Sequence, residues 1–183
     1  MQPKMKLKHT IILFATIVGF FMAFGVLMLV IGLVGRMSVS DFTEIDILFS
    51  NTERKTHNGN SSFEIYAVGD DTRYFSIPSF VANDFKNHLF ASNVSQGDTI
   101  TLMVNYKSYS SDNTSISTAG VRKGGTVFLD FEDGLKGYND NIRIPFIIGI
   151  VFLALTGGVV IVFSISIIKQ INEEKAKKIA GGS

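Results

Sequence analysis

The chain has 183 residues, a formal net charge of +1 at pH 7 and no cysteine. The absence of cysteine excludes disulfides, zinc–thiolate sites and a cysteine nucleophile. The small net charge hides an asymmetry, because residues 35–143 contain ten Lys and Arg against fourteen Asp and Glu, whereas the other seven lysines lie in the terminal tails. An acidic middle segment of this kind disfavours nucleic-acid binding.

The first predicted element is an uncleaved transmembrane helix over residues 10–34, which follows a tail of residues 1–9. This stretch contains no charged residue and only two hydroxyls, on Thr10 and Thr16. At about 1.5 Å per residue it forms a helix roughly 37 Å long, which exceeds a hydrocarbon core of about 30 Å. The alternative is a secretory signal cleaved near Ser38, but the run exceeds the roughly 7–15 apolar residues of a signal core.

A second apolar run over residues 144–168 predicts a second transmembrane helix. Lysines precede the first run and follow the second, in the tails 1–9 and 169–183. Because Lys and Arg near the ends of spans stay cytoplasmic, both termini are predicted to be cytoplasmic. Residues 35–143 are then extracellular, and the chain is a two-pass protein of the plasma membrane.

Residues 35–143 have the length of one small domain and show the alternation of half-buried strands. Pro78 and Ser79 predict the start of a short helix whose buried face holds Val81, Phe85 and Leu89. Residues 108–118 are rich in Ser, Asn and Thr and are predicted to form a mobile loop. The predicted strands are 42–49, 63–68, 73–77, 99–106 and 126–131.

These elements predict a membrane protein of the α+β class. Two transmembrane helices flank a small extracellular antiparallel β-barrel or curled sheet with one short helix, and an OB-like barrel is one such arrangement. Two motifs carry a resemblance: the turn and strand at 97–102, and residues 126–133 before the second span. With this layout the chain resembles a loosely defined group of small bacterial two-span membrane proteins with a β-rich loop domain. The resemblance implies the topology and no activity.

Small residues recur at helical spacing in both predicted spans. Such residues let helix backbones approach closely in lipid, so they are candidate helix-packing positions. The packing is expected either between the two spans of one molecule or against a partner protein or a second copy. The positions are Ala15, Gly19, Ala23, Gly25, Gly32, Ala154, Gly157 and Gly158.

No catalytic, cofactor or metal site is predicted from the sequence. The acidic residues near Asp130 and Glu132 do not match a calcium-binding loop and are interpreted as solvated turn carboxylates. His57 and His88 lack the spacing of a metal pair, and no nucleophile elbow or phosphate loop is present. The chain is therefore not expected to be an enzyme.

Aromatic residues are too numerous in residues 35–143 for one small domain to bury them all. Some are therefore expected to form an exposed patch for a partner. Tyr74, Phe75 and Phe80, on either side of Pro78, are the predicted partner-binding residues.

The leading functional hypothesis is a non-enzymatic, membrane-anchored interaction protein that acts as an accessory subunit of a larger membrane complex. Its expected partners are membrane lipid and either another integral membrane protein or a second copy. Neither apolar run contains an ionisable residue, which disfavours a transporter formed by this chain alone. The alternatives are a homo-oligomeric two-span channel gated through its extracellular domain and an extracellular ligand sensor.

Overall fold

The structure is a computed structural model that describes residues 3–180. The chain divides into two compact units, a helical unit and a β-rich unit, Gly35–Ile142, called here the β-domain. The elements within the described residues, in chain order, are α1 (Pro3–Val34), a 3-10 turn (Val39–Asp41), β1 (Phe42–His57), β2 (Asn60–Ala67), β3 (Tyr74–Ile77), α2 (Asn87–Asn93), β4 (Thr99–Asn105), α3 (Tyr106–Tyr109), β5 (Ser115–Lys123), β6 (Thr126–Leu129) and α4 (Phe131–Ala180).

Two helices in the described residues are long and apolar enough to cross a membrane. One candidate span is Ile11–Val34, and the other lies within Phe131–Glu173 of α4. The predicted second span, 144–168, is therefore part of a longer helix that starts at Phe131 and contains Pro145 in its interior. The α+β class predicted from the sequence is confirmed, with two long apolar helices and a sheet.

The sheet of the β-domain has six strands within residues 3–180, in the order β3-β2-β1-β4-β5-β6. Neighbouring strands in this order are antiparallel, as predicted. The exception is an additional pairing between β3 and β5, which is parallel and places Tyr74 opposite Ser115. The long strand β1 pairs with β4 through its first half and with β2 through its second half, and a bulge interrupts it between Phe49 and Asn51.

The core of the β-domain lies on one face of these strands. In β4, Ile100, Leu102 and Val104 alternate and are all fully buried. Opposite them in β1, Ile45 pairs with Leu102 and Ile47 pairs with Ile100, so both strands direct apolar side chains to the same face. Side chains alternate between faces along a strand, which is why the sequence alone indicated this pattern.

The predicted helix after Pro78 is wrong in its bounds and in one face residue. Residues 79–84 form consecutive turns, Phe85 lies in a bend, and the helix begins only at Asn87. The Lys86 N–H donates to the Phe128 carbonyl (2.8 Å), which ties the chain to β6 before the helix starts. The buried face of the helix is therefore rotated relative to the predicted one. Leu89 is 40% exposed, and Phe90 is buried in its place.

The predicted mobile loop at 108–118 is also wrong. Its first residues belong to α3, and β5 begins at Ser115 with Ile116 and Thr118 fully buried. This segment has few apolar residues, but β5 is hydrogen-bonded along both of its edges. One edge pairs with β4, and the other edge pairs first with β3 and then with β6. Long-range pairing thus decides a strand that local composition does not indicate.

Two further predictions fail at strand ends. The predicted strand 99–106 stops at Asn105, and Tyr106 is 60% exposed. The Asn105 side chain accepts a hydrogen bond from the Ser108 N–H (3.0 Å), which starts α3. The last predicted strand, 126–131, ends at Leu129, and Phe131 already belongs to α4.

Candidate functional site

The helical unit is a closely packed antiparallel pair, formed by α1 and the part of α4 after Arg143. Aromatic contacts connect early residues of α1 to late residues of α4: the Phe14 and Phe163 rings stack with centroids 3.7 Å apart. Further along α1, the Phe24 ring meets the Phe152 ring edge-on at 5.1 Å. We call this arrangement the helix pair.

Three glycines allow the two backbones of the helix pair to approach. A Cβ atom on Gly25 would lie 2.9 Å from Leu153 Cγ, and one on Gly32 would lie 2.5 Å from Phe146 Cβ. On the facing helix, a Cβ on Gly149 would lie 2.8 Å from the Gly25 carbonyl oxygen. Gly25 and Gly32 were predicted from their spacing. Gly149 was missed, because none of the other predicted small residues lies four or seven positions away from it.

The other predicted packing residues do not take part in this intramolecular contact. Apart from the local backbone of the same helix, no atom of the described residues lies within 4 Å of a Cβ built on Gly19, Gly157 or Gly158. Ala15, Ala23 and Ala154 are exposed in the helix pair. We call these six residues the outward small residues: Ala15, Gly19, Ala23, Ala154, Gly157 and Gly158.

The predicted partner-binding residues of the β-domain fall into different environments. Phe75 is only 3% exposed and belongs to the core, so its assignment to an exposed patch is wrong. Phe80 is 37% exposed and its ring packs edge-on against Tyr138 at 5.1 Å. Tyr74 is half-buried and its ring lies 6.0 Å from that of Tyr66. Strand alternation separates Tyr74 from Phe75, because neighbouring residues of β3 point to opposite faces.

Tyr74 belongs to a half-exposed group that we call the tyrosine surface: Tyr66, Arg73, Tyr74 and Tyr109. The Arg73 guanidinium carbon lies 5.8 Å from the centroid of the Tyr109 ring, which is within cation–π range. Sequence reasoning missed Tyr66 and Tyr109 as members, since β3 must pair with both β2 and β5 to bring these residues together.

Hydrogen bonds hold the polar atoms of the tyrosine surface in place. The Tyr66 hydroxyl donates to Glu64 Oε2 (2.7 Å), and this bond, together with burial, raises the pKa of Tyr66 to about 12. Arg73 Nε donates to Asp70 Oδ2 (2.9 Å). Hydrogen bonds from Thr72 and Arg73 hold the pKa of Asp70 below its usual value, so the carboxylate stays charged at neutral pH. Hydrogen bonds thus hold the Tyr66 hydroxyl and the Arg73 guanidinium of this aromatic surface.

Of the acidic residues near the start of α4, Asp130 accepts a local hydrogen bond. Asp130 Oδ1 accepts from the Glu132 N–H (2.9 Å) at the first turn of that helix. Among the described residues, no three His, Asp or Glu side chains come together as a metal site would require. His57 and His88 are exposed.

One side-chain amide joins the two ends of the β-domain. The Met37 N–H donates to Asn139 Oδ1 (2.9 Å), and Asn139 Nδ2 donates to the Met37 carbonyl (3.0 Å). Asn139 thus pairs with the backbone of Met37 as a neighbouring strand would. The bond pair brings the segment after α1 next to the first turns of α4.

No known protein family, curated protein or solved structure matches this chain.

Proposed function

We propose that the protein is a two-span, membrane-anchored accessory subunit of a larger membrane complex and has no catalytic role. Both termini are cytoplasmic, and the β-domain lies outside the cell beside the plasma membrane. The distribution of lysines supports this orientation, because all seven lysines outside residues 35–143 lie in the terminal tails.

The exposure of the apolar side chains supports a membrane location for the helix pair. Only 11% of the most apolar window of each candidate span is buried inside the protein. A core helix of a water-soluble protein would bury its apolar face against other elements. Here large aliphatic side chains such as Leu13, Leu155 and Ile161 are exposed along both helices, so hydrocarbon is the environment that suits them.

We further propose that five strands of the β-domain close into an OB-like barrel. The pairings β1–β2, β2–β3, β3–β5, β5–β4 and β4–β1 return to the starting strand. The helix α2 follows β3 and precedes β4. Closure protects strand edges from pairing with other chains, which suits a domain without disulfides.

The observation that carries the subunit proposal is the separation of small residues into two groups. Gly25, Gly32 and Gly149 are used within the helix pair, whereas the outward small residues are exposed among the described residues. Small residues at intervals of four favour close backbone contact between membrane helices. We assign this contact to helices of another integral membrane protein. Independently of this contact, we assign the tyrosine surface to the binding of an extracellular protein segment.

A substitution at Gly19 tests this proposal. Gly19→Leu adds a bulky side chain in open space, so the helix pair should form normally while the partner helix is displaced. We expect the full-length variant to keep its thermal unfolding midpoint and to lose the partner that cross-links to the wild-type chain in native membranes. Val30→Leu, at an exposed position of the same helix, should retain the partner.

Three results would contradict the accessory-subunit proposal. The first such result is that the wild-type chain cross-links to no other protein and runs as a monomer. A Gly19→Leu variant that retains its partner shows that the outward small residues are not the contact. A symmetric homo-oligomer that conducts ions in planar bilayers would instead identify the two-span channel.

A further inference from the structure

A cavity of about 340 Å³ lies in the β-domain, between the β1–β2 hairpin and α2. Three buried aromatic rings form part of its wall, with polar side chains beside them. The residues that matter for its chemistry are Phe49, Phe63, Phe90, Thr52, Arg54 and Asn87. Cavities of this size and composition, apolar with a few polar groups, are typical of sites for small organic ligands.

Strand register explains why polar residues line this cavity. Thr52 lies opposite Ile65, and Arg54 lies opposite Phe63. Ile65 and Phe63 are buried, and residues directly opposite in a sheet share a face, so Thr52 and Arg54 are on the core side of the hairpin. The bulge after Phe49 shifts the alternation of β1 and brings them there.

Thr52 has a buried hydroxyl that its own chain does not satisfy. Its Oγ1 atom is inaccessible to solvent and has no hydrogen-bond partner among the described residues, the one side-chain atom there with this property. A buried hydroxyl without a partner destabilises a fold, which makes such an atom an indicator of a binding site.

Arg54 contributes a positive charge that no carboxylate neutralises. Its Nε and Nη2 atoms donate to Ser61 Oγ at 3.0 and 2.7 Å, and no carboxylate within residues 3–180 lies within 4.0 Å of the guanidinium. The nearby acids, Glu53 and Glu64, pair instead with Lys55. Because Glu53 and Glu64 are opposite one another at alternate strand positions, they lie on the other face of the hairpin.

We propose that this cavity binds a small carboxylate with an apolar body. The carboxylate accepts hydrogen bonds from the Arg54 guanidinium and, after the Thr52 side chain rotates its hydroxyl toward the cavity, from Thr52 Oγ1. The apolar body lies against the phenylalanine rings. One guanidinium and one hydroxyl match a single negative charge, whereas a phosphate dianion would need more donors and a less apolar wall. The inference concerns the β-domain alone and does not depend on the partner proposed above.

Binding of 4-phenylbutanoate to the full-length protein in nanodiscs tests this proposal. We expect saturable binding, measured by saturation-transfer NMR against empty nanodiscs. Arg54→Gln should weaken binding by about tenfold, because a charge-assisted hydrogen bond is lost. The matched control Arg73→Gln removes a guanidinium outside the cavity and should bind as the wild type does.

Thr52→Val separates a binding role of Thr52 from a purely structural one. The substitution keeps the shape of the side chain and removes the unsatisfied hydroxyl, so the thermal unfolding midpoint should rise. If the hydroxyl binds the carboxylate, the affinity for 4-phenylbutanoate falls by about threefold to tenfold. Unchanged affinity would remove Thr52 from the proposed site.

Two more probes test the apolar body and the charge of the ligand. If octanoate binds more tightly than 4-phenylbutanoate, the apolar body of the ligand is the acyl chain of a fatty acid. If 4-phenylbutanoate binds more tightly, the ligand is an aromatic acid. The neutral 4-phenylbutanol should bind more weakly than the acid. Absence of saturable binding by either acid, or equal binding by the wild type and Arg54→Gln, would overturn the proposal.

Discussion

Asp98 shows how a single side chain joins distant parts of the β-domain. It lies in the turn before β4, where its Oδ2 accepts from the Ser95 N–H (2.6 Å) and from Lys123 Nζ (2.6 Å). Lys123 also donates to the Asn93 carbonyl at the end of α2 (2.8 Å). The turn, α2 and the end of β5 are thereby connected through one carboxylate and one ammonium.

We expect Asp98 to contribute a pH-dependent part of the stability. The hydrogen bonds from Lys123 and Ser95 hold its pKa below the ordinary value of 3.8. Because the folded-state pKa is lower than the unfolded-state pKa, this contribution is complete above pH 3.8 and is lost as the pH falls through the folded-state value. Asp98→Asn should therefore unfold at a lower temperature than the wild type at pH 7, with a difference that narrows in acid.

Thermal unfolding of the full-length chain, followed by circular dichroism from pH 7 down to pH values below 3.8, measures this difference. Asp71→Asn is the matched control, since Asp71 is exposed and its side chain makes no hydrogen bond or ion pair among residues 3–180. The expected role of Asp98 would be contradicted if the unfolding midpoints of the wild type and Asp98→Asn differed by the same amount at every pH.

Residue-level predictions from the sequence failed where a neighbour in space, not in the chain, set the environment. Phe75 and Tyr74 are adjacent, yet only the sheet pairing decides which of them is buried. Leu89 fitted a helical spacing from Val81, but the hydrogen bond from Lys86 to Phe128 changed the phase of the helix. Neither contact has a local signal in the sequence.

The helix pair shows the same distinction between local and long-range information at the scale of secondary structure. Hydropathy alone indicates two long apolar helices, because a run of about 20 predominantly apolar residues is a local property of the sequence. It does not indicate which side of each helix faces the other. Gly19 and Gly25 are equally small, yet only Gly25 lies against the facing helix, 2.9 Å from Leu153 Cγ when a Cβ is built on it.

Substitution of Gly149 should separate the two helices of the pair. A leucine there would collide with the backbone of α1, since a Cβ on Gly149 already lies 2.8 Å from the Leu29 amide nitrogen. Cysteines placed at Phe14 and Phe163, whose rings stack, should react with a short bifunctional thiol reagent in a chain that has no native cysteine. Gly149→Leu should abolish most of this cross-link.

Gly157→Leu provides the control for that experiment. Beyond the local backbone of its own helix, no atom in the described part of the chain lies within 4 Å of a Cβ on Gly157. The cross-link between residues 14 and 163 should therefore form as in the unsubstituted pair. Equal cross-linking in Gly149→Leu and Gly157→Leu would show that Gly149 does not hold the helices together.

At the scale of the whole molecule, the proposed orientation can be tested with single cysteines. Asn113 and Asn172 are exposed, in the β-domain and near the end of α4, respectively. We expect Asn113→Cys to react with a membrane-impermeant maleimide on intact cells and Asn172→Cys to react only after permeabilisation. The reverse pattern would place the β-domain in the cytoplasm, and with it the proposed partner contact.

The sequence by itself determined the α+β class and the two long apolar helices. It also determined the strands whose apolar residues alternate, as in β4. These features depend on the periodicity and hydropathy of consecutive residues, which are local properties. The same reasoning indicated Gly25 and Gly32 as packing positions, although not which surface they would contact.

Only the tertiary structure decided β5, the parallel pairing of β3 with β5, and the cavity beside Thr52 and Arg54. Each depends on residues far apart in the chain, and a strand such as β5 is stabilised by hydrogen bonds to its neighbours more than by its own composition. The cavity requires in addition a bulge that moves two polar residues to the core side of β1. Such features are set by the pairing of whole strands, so no local pattern of residues indicates them.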